Sequence, residues 1–138
     1  MTDRAAVDAV LDAFHAAAAG ADEDTYAGTL ADSMVFLGTA PGERWDARAW
    51  SDFVHSYFSR GKGWTYVPSA RSVQFAEDDL TAWFDETVDN EHYGACRGTG
   101  VLTRQDDGWK IEQYNLTIPI PDEIAADVVA RIREMRLA

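Results

Sequence analysis

The sequence contains few of the features that mark disulfide-stabilised, metal-binding or nucleic-acid-binding proteins. It has one cysteine, Cys96, so neither an intramolecular disulfide nor a zinc site built on several cysteines can form. Its 12 Lys and Arg stand against 24 Asp and Glu, a formal net charge of -12. Nucleic acids and anionic membranes attract basic surfaces, so we expect neither as a partner. The chain carries no cofactor or nucleophile motif, and we expect no metal and no cofactor.

Long apolar runs are also missing from the chain. It contains no stretch of 18 apolar residues, and the N-terminal residues Met1–Arg4 lead into a charged amphipathic segment instead of an apolar signal core. We therefore expect a soluble, cytoplasmic protein. With 138 residues, 46% of them hydrophobic, the chain is long enough for a single domain with a buried core. We expect that domain to span 1–138, with its core at about 5–121 and a C-terminal helix at about 122–136.

Apolar residues at helical spacing predict three helices in the first half of the chain. The first ends at Gly20, a short second one is capped by Asp22 or Asp24, and the third follows a cap at Asp46. A fourth amphipathic helix follows Pro121. The apolar faces of the first and third helices consist of Val7, Val10, Leu11, Phe14, Trp50, Phe53, Val54, Tyr57 and Phe58.

The second half of the chain is predicted to be mostly β-structure. Pro68 favours an edge strand or a bulge, because proline cannot donate to a strand ladder. Helices followed by a meander of strands predict an α+β fold, with the helices on one face of an antiparallel sheet. The predicted strands are Met34–Leu37, Trp64–Phe75, Leu80–Val88, His92–Arg104 and Trp109–Ile118.

The order of these segments resembles the nuclear transport factor 2-like superfamily and, within it, the SnoaL-like group. The resemblance extends from about Val7 to Pro121. It implies a curved sheet that forms a cone with the helices, with a pocket at the wide end. Members include isomerases, cyclases, dehydratases and non-catalytic binding or assembly domains, so the fold does not select a function. The residues that carry the resemblance are Val35–Gly38, Arg44-Trp45, Ala82–Phe84, Arg97–Gly100, Gly108–Ile111 and Gln113–Thr117.

The hairpin near Asp106–Gly108 decides which residues face the cone. A three-residue turn pairs Gln105 with Trp109 and sorts the strands into two faces. Apolar content favours the first face as core, whereas the family resemblance makes the second, glycine-containing face concave. We adopt the second arrangement. The two faces are Arg97, Thr99, Val101, Trp109, Ile111, Gln113 and Asn115, and Gly98, Gly100, Leu102, Glu112, Tyr114 and Leu116.

The adopted arrangement leaves an apolar patch on the opposite face of the sheet, formed by Trp83, Val101, Trp109 and Ile111. An exposed apolar patch of this kind favours association. We therefore expect a homodimer formed through the sheet face, as the resemblance also implies.

The adopted arrangement points Glu86 into the cone with Ala82 and Phe84. A carboxylate in an apolar pocket has a raised pKa and works as an acid or a base, so Glu86 is the candidate catalytic residue. The alternative is an ion pair between Glu86 and Arg97 or another cation. The candidate ligand-binding residues are Phe14, Trp50, Val54, Tyr57, Arg97 and Tyr114.

Other polar residues are weaker candidates. If the opposite sheet face is the concave one, the polar pocket residues are Asp85, Arg97, Gln113 and Asn115. The three histidines lack metal-ligand spacing, and we interpret them as surface or structural residues; they are His15, His55 and His92.

Ketosteroid-isomerase-like members of the superfamily use an inward carboxylate after the first strand and two acidic or phenolic donors. Alignment of the glycine landmarks puts Phe14 or its neighbour, Leu37 and Gly100 at those places, so we do not expect this mechanism.

Two functions stay open. One is a pocket protein for a small, largely apolar molecule, with acid–base catalysis by Glu86 as one version. The other is a non-catalytic dimeric binding or assembly domain with a vestigial pocket. An open cavity with an unpaired Glu86 favours the first, and a filled cone favours the second.

Overall fold

The computed structural model describes residues 2–137, which form helices, a sheet and short connections. No helix among these residues is long and apolar enough to cross a membrane. In chain order the elements are α1 (Asp3–Gly20), α2 (Glu23–Gly28), β1 (Leu30–Leu37), β2 (Arg44–Asp46), α3 (Ala47–Phe58), β3 (Val67–Phe75), β4 (Thr81–Asn90), β5 (Gly94–Gln105), β6 (Gly108–Thr117) and α4 (Asp122–Leu137).

The strands form one curved, unclosed sheet in the order β2-β1-β6-β5-β4-β3, which confirms the predicted α+β fold. The expectation of an antiparallel sheet is wrong at one pair, because β1 runs parallel to β6, with Phe36 beside Tyr114. Parallel neighbours need a long connection between them. Here the chain from β2 to β5 supplies that connection.

Short polar side chains define where the first three helices begin. The side chain of Thr2 accepts a hydrogen bond from the Ala5 amide at the start of α1. Asp22 does the same for α2, and Asp46 caps α3 through the Ala49 amide. These contacts satisfy amides that have no partner inside the helix, and they confirm the predicted caps at Asp22 and Asp46.

The β5–β6 hairpin differs from its predicted register. Gln105 pairs with Gly108, and Trp109 pairs with Arg104, so the connection is two residues long instead of three. Farther along, Val101 pairs with Gln113 while Leu102 pairs with Ile111. One residue of β6, Glu112, is therefore extra, and this β-bulge reverses the alternation of side chains along the strand.

The bulge changes the surface predicted for dimerisation. Trp109 is 5% exposed and Ile111 is fully buried, so both belong to the core and not to the opposite sheet face. Trp83, at 44% exposure, and the half-buried Val101 remain on the face that the helices leave open. Association through this sheet face stays a prediction, with a smaller apolar patch than the sequence suggested.

The core fills the space between the concave sheet face and the helices. Phe14 of α1 stacks on Tyr26 of α2 at 4.9 Å and lies 5.0 Å from the Tyr114 ring of β6. Phe36 of β1 stacks on Trp50 of α3 at 3.9 Å. Aromatic rings from five elements therefore meet in the cone, and each contributes packing beyond its buried area.

Candidate functional site

Glu86 lies on the concave face of β4, at the centre of the cone. It is 2% exposed and shares its face with the buried Ala82 and Phe84, as predicted. Its neighbour Asp85 is exposed on the opposite face of the sheet. A carboxylate at such a place must find hydrogen-bond donors, because an unpaired buried charge is costly.

Three donors surround the Glu86 carboxylate. His15 Nε2 lies 2.6 Å from Oε2, and the Tyr114 hydroxyl donates to the same oxygen at 2.8 Å. Arg71 Nε donates to Oε1 at 2.8 Å. We call these four side chains the polar hub. Both oxygens of Glu86 are occupied, so the carboxylate is paired, in contrast to the free base that acid–base catalysis by Glu86 requires.

Arg71 enters the cone through a second bulge, on the edge strand β3. Ser69 pairs with Thr87 and Ser72 pairs with Asp85, so Ala70 and Arg71 together oppose Glu86. Ala70 adopts a left-handed backbone conformation with φ 47°. Of the two alternatives that Pro68 predicted, the edge strand is confirmed, while the bulge lies at Ala70 and Arg71 and directs the arginine at the carboxylate.

Arg71 is held in turn by two carboxylates of α1. Its Nη1 donates to Asp8 Oδ1 at 3.1 Å, and its Nη2 lies 3.0 Å from Asp12 Oδ1. The Asp12 contact is close enough for an ion pair but is not a hydrogen bond. The guanidinium therefore connects the hub to the partly exposed carboxylates of α1.

Gly98 makes the tyrosine contact possible. It lies on β5 directly between Glu86 of β4 and Leu116 of β6. A Cβ atom at Gly98 would collide with the Tyr114 hydroxyl and press on the Glu86 side chain. The missing side chain leaves a channel across β5 through which the phenol reaches the carboxylate.

The environment lowers the pKa of Glu86. Burial by itself raises the pKa of this carboxyl, but the hydrogen bond and charge of His15, with the hydrogen bonds from Arg71 and Tyr114, outweigh it. The expectation of a raised pKa is therefore wrong, because it did not include these donors. Burial and the nearby Glu86 carboxylate raise the pKa of Tyr114, which remains a protonated donor at neutral pH.

The space beside the hub is small. A cavity of about 20 Å³ borders His15 and Tyr114. That volume accommodates roughly one water molecule, far below the 300 Å³ or more of common ligand pockets. The other lining residues are Phe14, Ala18, Phe36, Trp64, Tyr66 and Leu116.

A larger concavity lies outside the cone, between α2, α3 and β1. We call it the outer groove, and its volume is about 210 Å³. Trp50 Nε1 donates to the Tyr26 hydroxyl at 3.2 Å and joins two of the groove's wall residues. The lining residues are Glu23, Tyr26, Ala27, Leu30, Ala31, Asp32, Met34, Ala47, Trp50, Ser51 and Val54.

The predicted ligand-binding residues are thus divided between several places. Phe14 and Tyr114 border the small cavity, and Trp50 and Val54 line the outer groove. Tyr57 is 38% exposed and packs against Phe53 at 4.9 Å, away from both spaces.

The remaining polar candidates lie outside the cone. Arg97 and Gln113 are exposed and Asn115 is half-buried, on the stretches of β5 and β6 that alternate with the buried residues. The ion pair considered for Glu86 and Arg97 is absent, and Arg71 takes that place. His55 pairs with Glu23 at the protein surface, and His92 is exposed. Within residues 2–137, no group of three or more His, Cys, Asp or Glu side chains is arranged to hold a metal ion.

Two hub residues were missed from the sequence, although a signal existed for each. His15 follows Leu11 by four positions and so falls on the buried face of α1. Arg71 alternates with Val73 and Phe75, the partly buried residues that pack on the core from β3. Periodicity placed both side chains inward, but it does not identify the partner that each would meet.

Comparison with protein families gives one match. Residues 7–121 fit the model of the SnoaL-like domain, which is most of the chain and excludes α4. No curated protein matches the sequence.

Solved structures show the same fold at low sequence identity. An NTF2-like protein from Cytophaga hutchinsonii has a TM-score of 0.70 and 18% identity, covering 86% of this chain and 100% of its own. A proposed dehydratase of the NTF2-like family from Streptomyces avermitilis has a TM-score of 0.68 and 16% identity, covering 86% of this chain and 97% of its own. A proposed calcium/calmodulin dependent protein kinase II association domain from Xanthomonas campestris has a TM-score of 0.60 and 22% identity, covering 84% of this chain and 86% of its own.

Proposed function

This chain belongs to the SnoaL-like domain family, and from that premise we propose that it is a binding domain and not an enzyme of the Glu86-base type. The single observation that carries the proposal is the closure of the cone around a fully paired Glu86. A carboxylate with both oxygens occupied and a lowered pKa is a poor proton acceptor at neutral pH.

The ligand we propose is a small, largely apolar molecule bound in the outer groove. The groove combines an aromatic and aliphatic wall, from Trp50, Met34 and Val54, with polar groups at Glu23 and Asp32. Sites of this composition are typical for small molecules, although about 210 Å³ restricts this one to fragments of roughly ten non-hydrogen atoms. Because its ionisable lining residues are acidic, the groove favours neutral or cationic ligands over anionic ones.

Three indole derivatives test this proposal, since they share one ring system and differ in charge. We expect tryptamine to bind more tightly than indole, and indole-3-acetate to bind least, because Glu23 and Asp32 attract the ammonium group and repel the carboxylate. Two-dimensional NMR titration of the intact chain measures the affinities. The shifted resonances should belong to groove residues such as Ala27, Ala31 and Trp50.

A pair of serine variants on α3 provides the matched control. Ser51→Trp places a large ring at the groove, whereas Ser56→Trp places the same ring at an exposed position that does not line it. We expect Ser51→Trp to abolish tryptamine binding and Ser56→Trp to leave it unchanged. Equal binding by both variants, or shifts confined to the cone, would contradict the groove as the site.

A second candidate function has one observation in its favour. The short contact between His15 Nε2 and Glu86 Oε2 orients the imidazole of a buried histidine that also borders the small cavity. In this alternative His15 exchanges a proton with the ligand, and Glu86 fixes its orientation and tautomer. A ligand would have to displace part of the aromatic wall formed by Trp64 and Tyr66.

Proton exchange separates the two candidates. Small apolar ketones in D₂O would gain deuterium next to the carbonyl if His15 acted as a base, and NMR detects that gain. On this alternative His15→Gln abolishes the exchange and the exposed Arg97→Gln does not. We expect no exchange above the uncatalysed rate with the wild-type chain, and catalysed exchange that disappears in His15→Gln would overturn the non-catalytic proposal.

A further inference from the structure

The C-terminal helix α4 exposes an apolar stripe that the rest of the chain does not cover. Ile124 is 48% exposed, Ile132 39% and Met135 66%, and with Val128 they follow a spacing of four, four and three residues. Among residues 122–136 only Ala125 and Val128 are partly buried. An amphipathic helix of 16 residues without such cover is marginal in water, because helices in proteins depend on packing of the apolar face.

The chain exposes more surface than a compact monomer of the same mass. A compact monomer of 15.3 kDa exposes about 7,100 Å², whereas this chain exposes 8634 Å². The surplus of about 1,500 Å² exceeds the roughly 800 Å² that each partner buries in an ordinary protein–protein interface.

The charges on α4 identify the partner. The first half of the helix is acidic, with Asp122, Glu123 and Asp127, and the second half carries its basic residues, Arg131, Arg133 and Arg136. Two copies side by side in antiparallel orientation place each acidic half against a basic half. A parallel pair would place like charges together, which is unfavourable.

Helical geometry supplies the register of such a pair. At 100° per residue, Asp127 and Arg131 lie along one edge of the apolar stripe, Arg136 lies along the other, and Asp122 lies about 40° farther from the stripe than Arg136. With the twofold axis at Val129, Asp127 meets Arg131 of the second copy and Asp122 meets Arg136 of the second copy. The second pair, which lies farther from the stripe, gives the same axis as the first, and this agreement favours one register.

We propose that α4 is a self-association arm, through which two copies of this chain form an antiparallel helix pair. In that pair Ile124 of one copy enters the gap between Ile132 and Met135 of the other. Arg131 already has an exposed contact with Glu134 of its own helix at 3.1 Å. Exposed pairs of this kind contribute little, so this contact does not compete with the pairing between copies. The arm lies outside residues 7–121, the part of the chain that matches the family model.

Charge reversal tests the partner. In the variant Arg131→Glu/Arg136→Glu, all four charged positions of the proposed pairs are acidic. In Asp122→Arg/Asp127→Arg, all four are basic. We expect the wild-type chain to sediment as a dimer at micromolar concentration, and each variant by itself to dissociate with a constant raised on the order of a hundredfold. An equimolar mixture of the two variants should restore the dimer as a one-to-one complex. Near-UV circular dichroism of the buried tryptophans checks that the body of each variant is folded.

Two controls distinguish pairing through α4 from a general effect of net charge and from association through the sheet face. Arg44→Glu/Arg48→Glu changes the net charge by the same amount at exposed positions away from α4 and should remain dimeric. Trp83→Lys disturbs the open sheet face, which is the dimer interface expected from the sequence, and should also remain dimeric because this proposal places the contact on α4 instead. A monomeric wild-type chain at high micromolar concentration overturns the proposal. So does a dimer that survives in the acidic variant, or one that is lost in Trp83→Lys.

Disulfide trapping tests the orientation. The antiparallel register brings position 124 of one copy near position 135 of the other, so Ile124→Cys and Met135→Cys, when mixed and oxidised, should form a mixed disulfide. Cross-linking of each variant with itself, measured by mass spectrometry without reductant, is the result expected of a parallel pair and would overturn the antiparallel arrangement.

Discussion

Replacing Arg71 by methionine should lower the free energy of unfolding by about 3 kcal/mol, because it leaves a buried carboxylate without its guanidinium partner. Glu86 has a fully buried side chain and Arg71 one that is 9% exposed, so water cannot take over the lost contact. Methionine keeps the aliphatic length of the arginine and limits any change in packing. Equilibrium unfolding in urea, followed by tryptophan fluorescence, measures the effect.

Arg97→Met is the matched control, because Arg97 is an exposed arginine on β5. Its effect should stay within about 0.5 kcal/mol, as for most surface substitutions. Adding Glu86→Gln to Arg71→Met should recover part of the loss, since the glutamine carries no charge that needs a partner. Equal stability of Arg71→Met and Arg97→Met would mean that the ion pair in the polar hub does not stabilise the fold.

The same carboxylate predicts how stability depends on pH. The folded-state pKa of Glu86 lies below its ordinary value of 4.5, so its contribution is fully present above that pH and is lost as pH falls through the folded-state value. The part of the difference in unfolding free energy between the wild-type chain and Glu86→Gln that comes from the titration of Glu86 itself should therefore be constant near neutral pH. It should shrink only below about pH 4.5. Urea unfolding at a series of pH values provides this comparison.

Gly98→Ala should destabilise the protein by about 3 kcal/mol, a large effect for one added methyl group. The new Cβ would occupy the channel through which the Tyr114 hydroxyl reaches Glu86. Overpacking costs about 1–3 kcal/mol, and separating the phenol from a buried carboxylate adds a loss of similar size. The measurement is again the free energy of unfolding in urea.

A second substitution tests the cause of that loss. Tyr114→Phe removes the hydroxyl that the new methyl group would strike, so Gly98→Ala should cost less in the Tyr114→Phe background than in the wild-type chain. Gly20→Ala, at a glycine of α1 with no atom within 4 Å of an added Cβ, should be neutral or slightly stabilising. Identical effects of Gly98→Ala in both backgrounds would exclude the collision as the cause.

Local patterns predicted much of the architecture because they depend only on neighbouring residues. Asp46 could be identified as a cap, and Gly20 as a helix end, from the apolar spacing beside them. Alternation put Glu86 on the same face of β4 as Ala82 and Phe84, but it did not decide that this face is the concave one, because apolar content favoured the other face. The family resemblance favoured the same face, and its domain model covers residues 7–121.

The chemistry of the site could not be predicted in the same way. Glu86 has partners from α1, β3 and β6, which are 71, 15 and 28 residues away along the chain. Periodicity gives the direction of each side chain but no distance between them. Without those distances, the sequence leaves two interpretations of Glu86 open, an acid or base with a raised pKa and an ion pair with a cation, whereas in the structure three donors hold its pKa down.

The sequence by itself determined the helix caps and the amphipathic pattern of α4, because each is a property of a short segment, and the order of the segments determined the class of fold. Only the tertiary structure decided the bulges at Arg71 and Glu112, since an extra residue in a strand is defined by the strand paired with it. It also decided the closure of the cone, because a cavity volume depends on side chains from distant segments packed together.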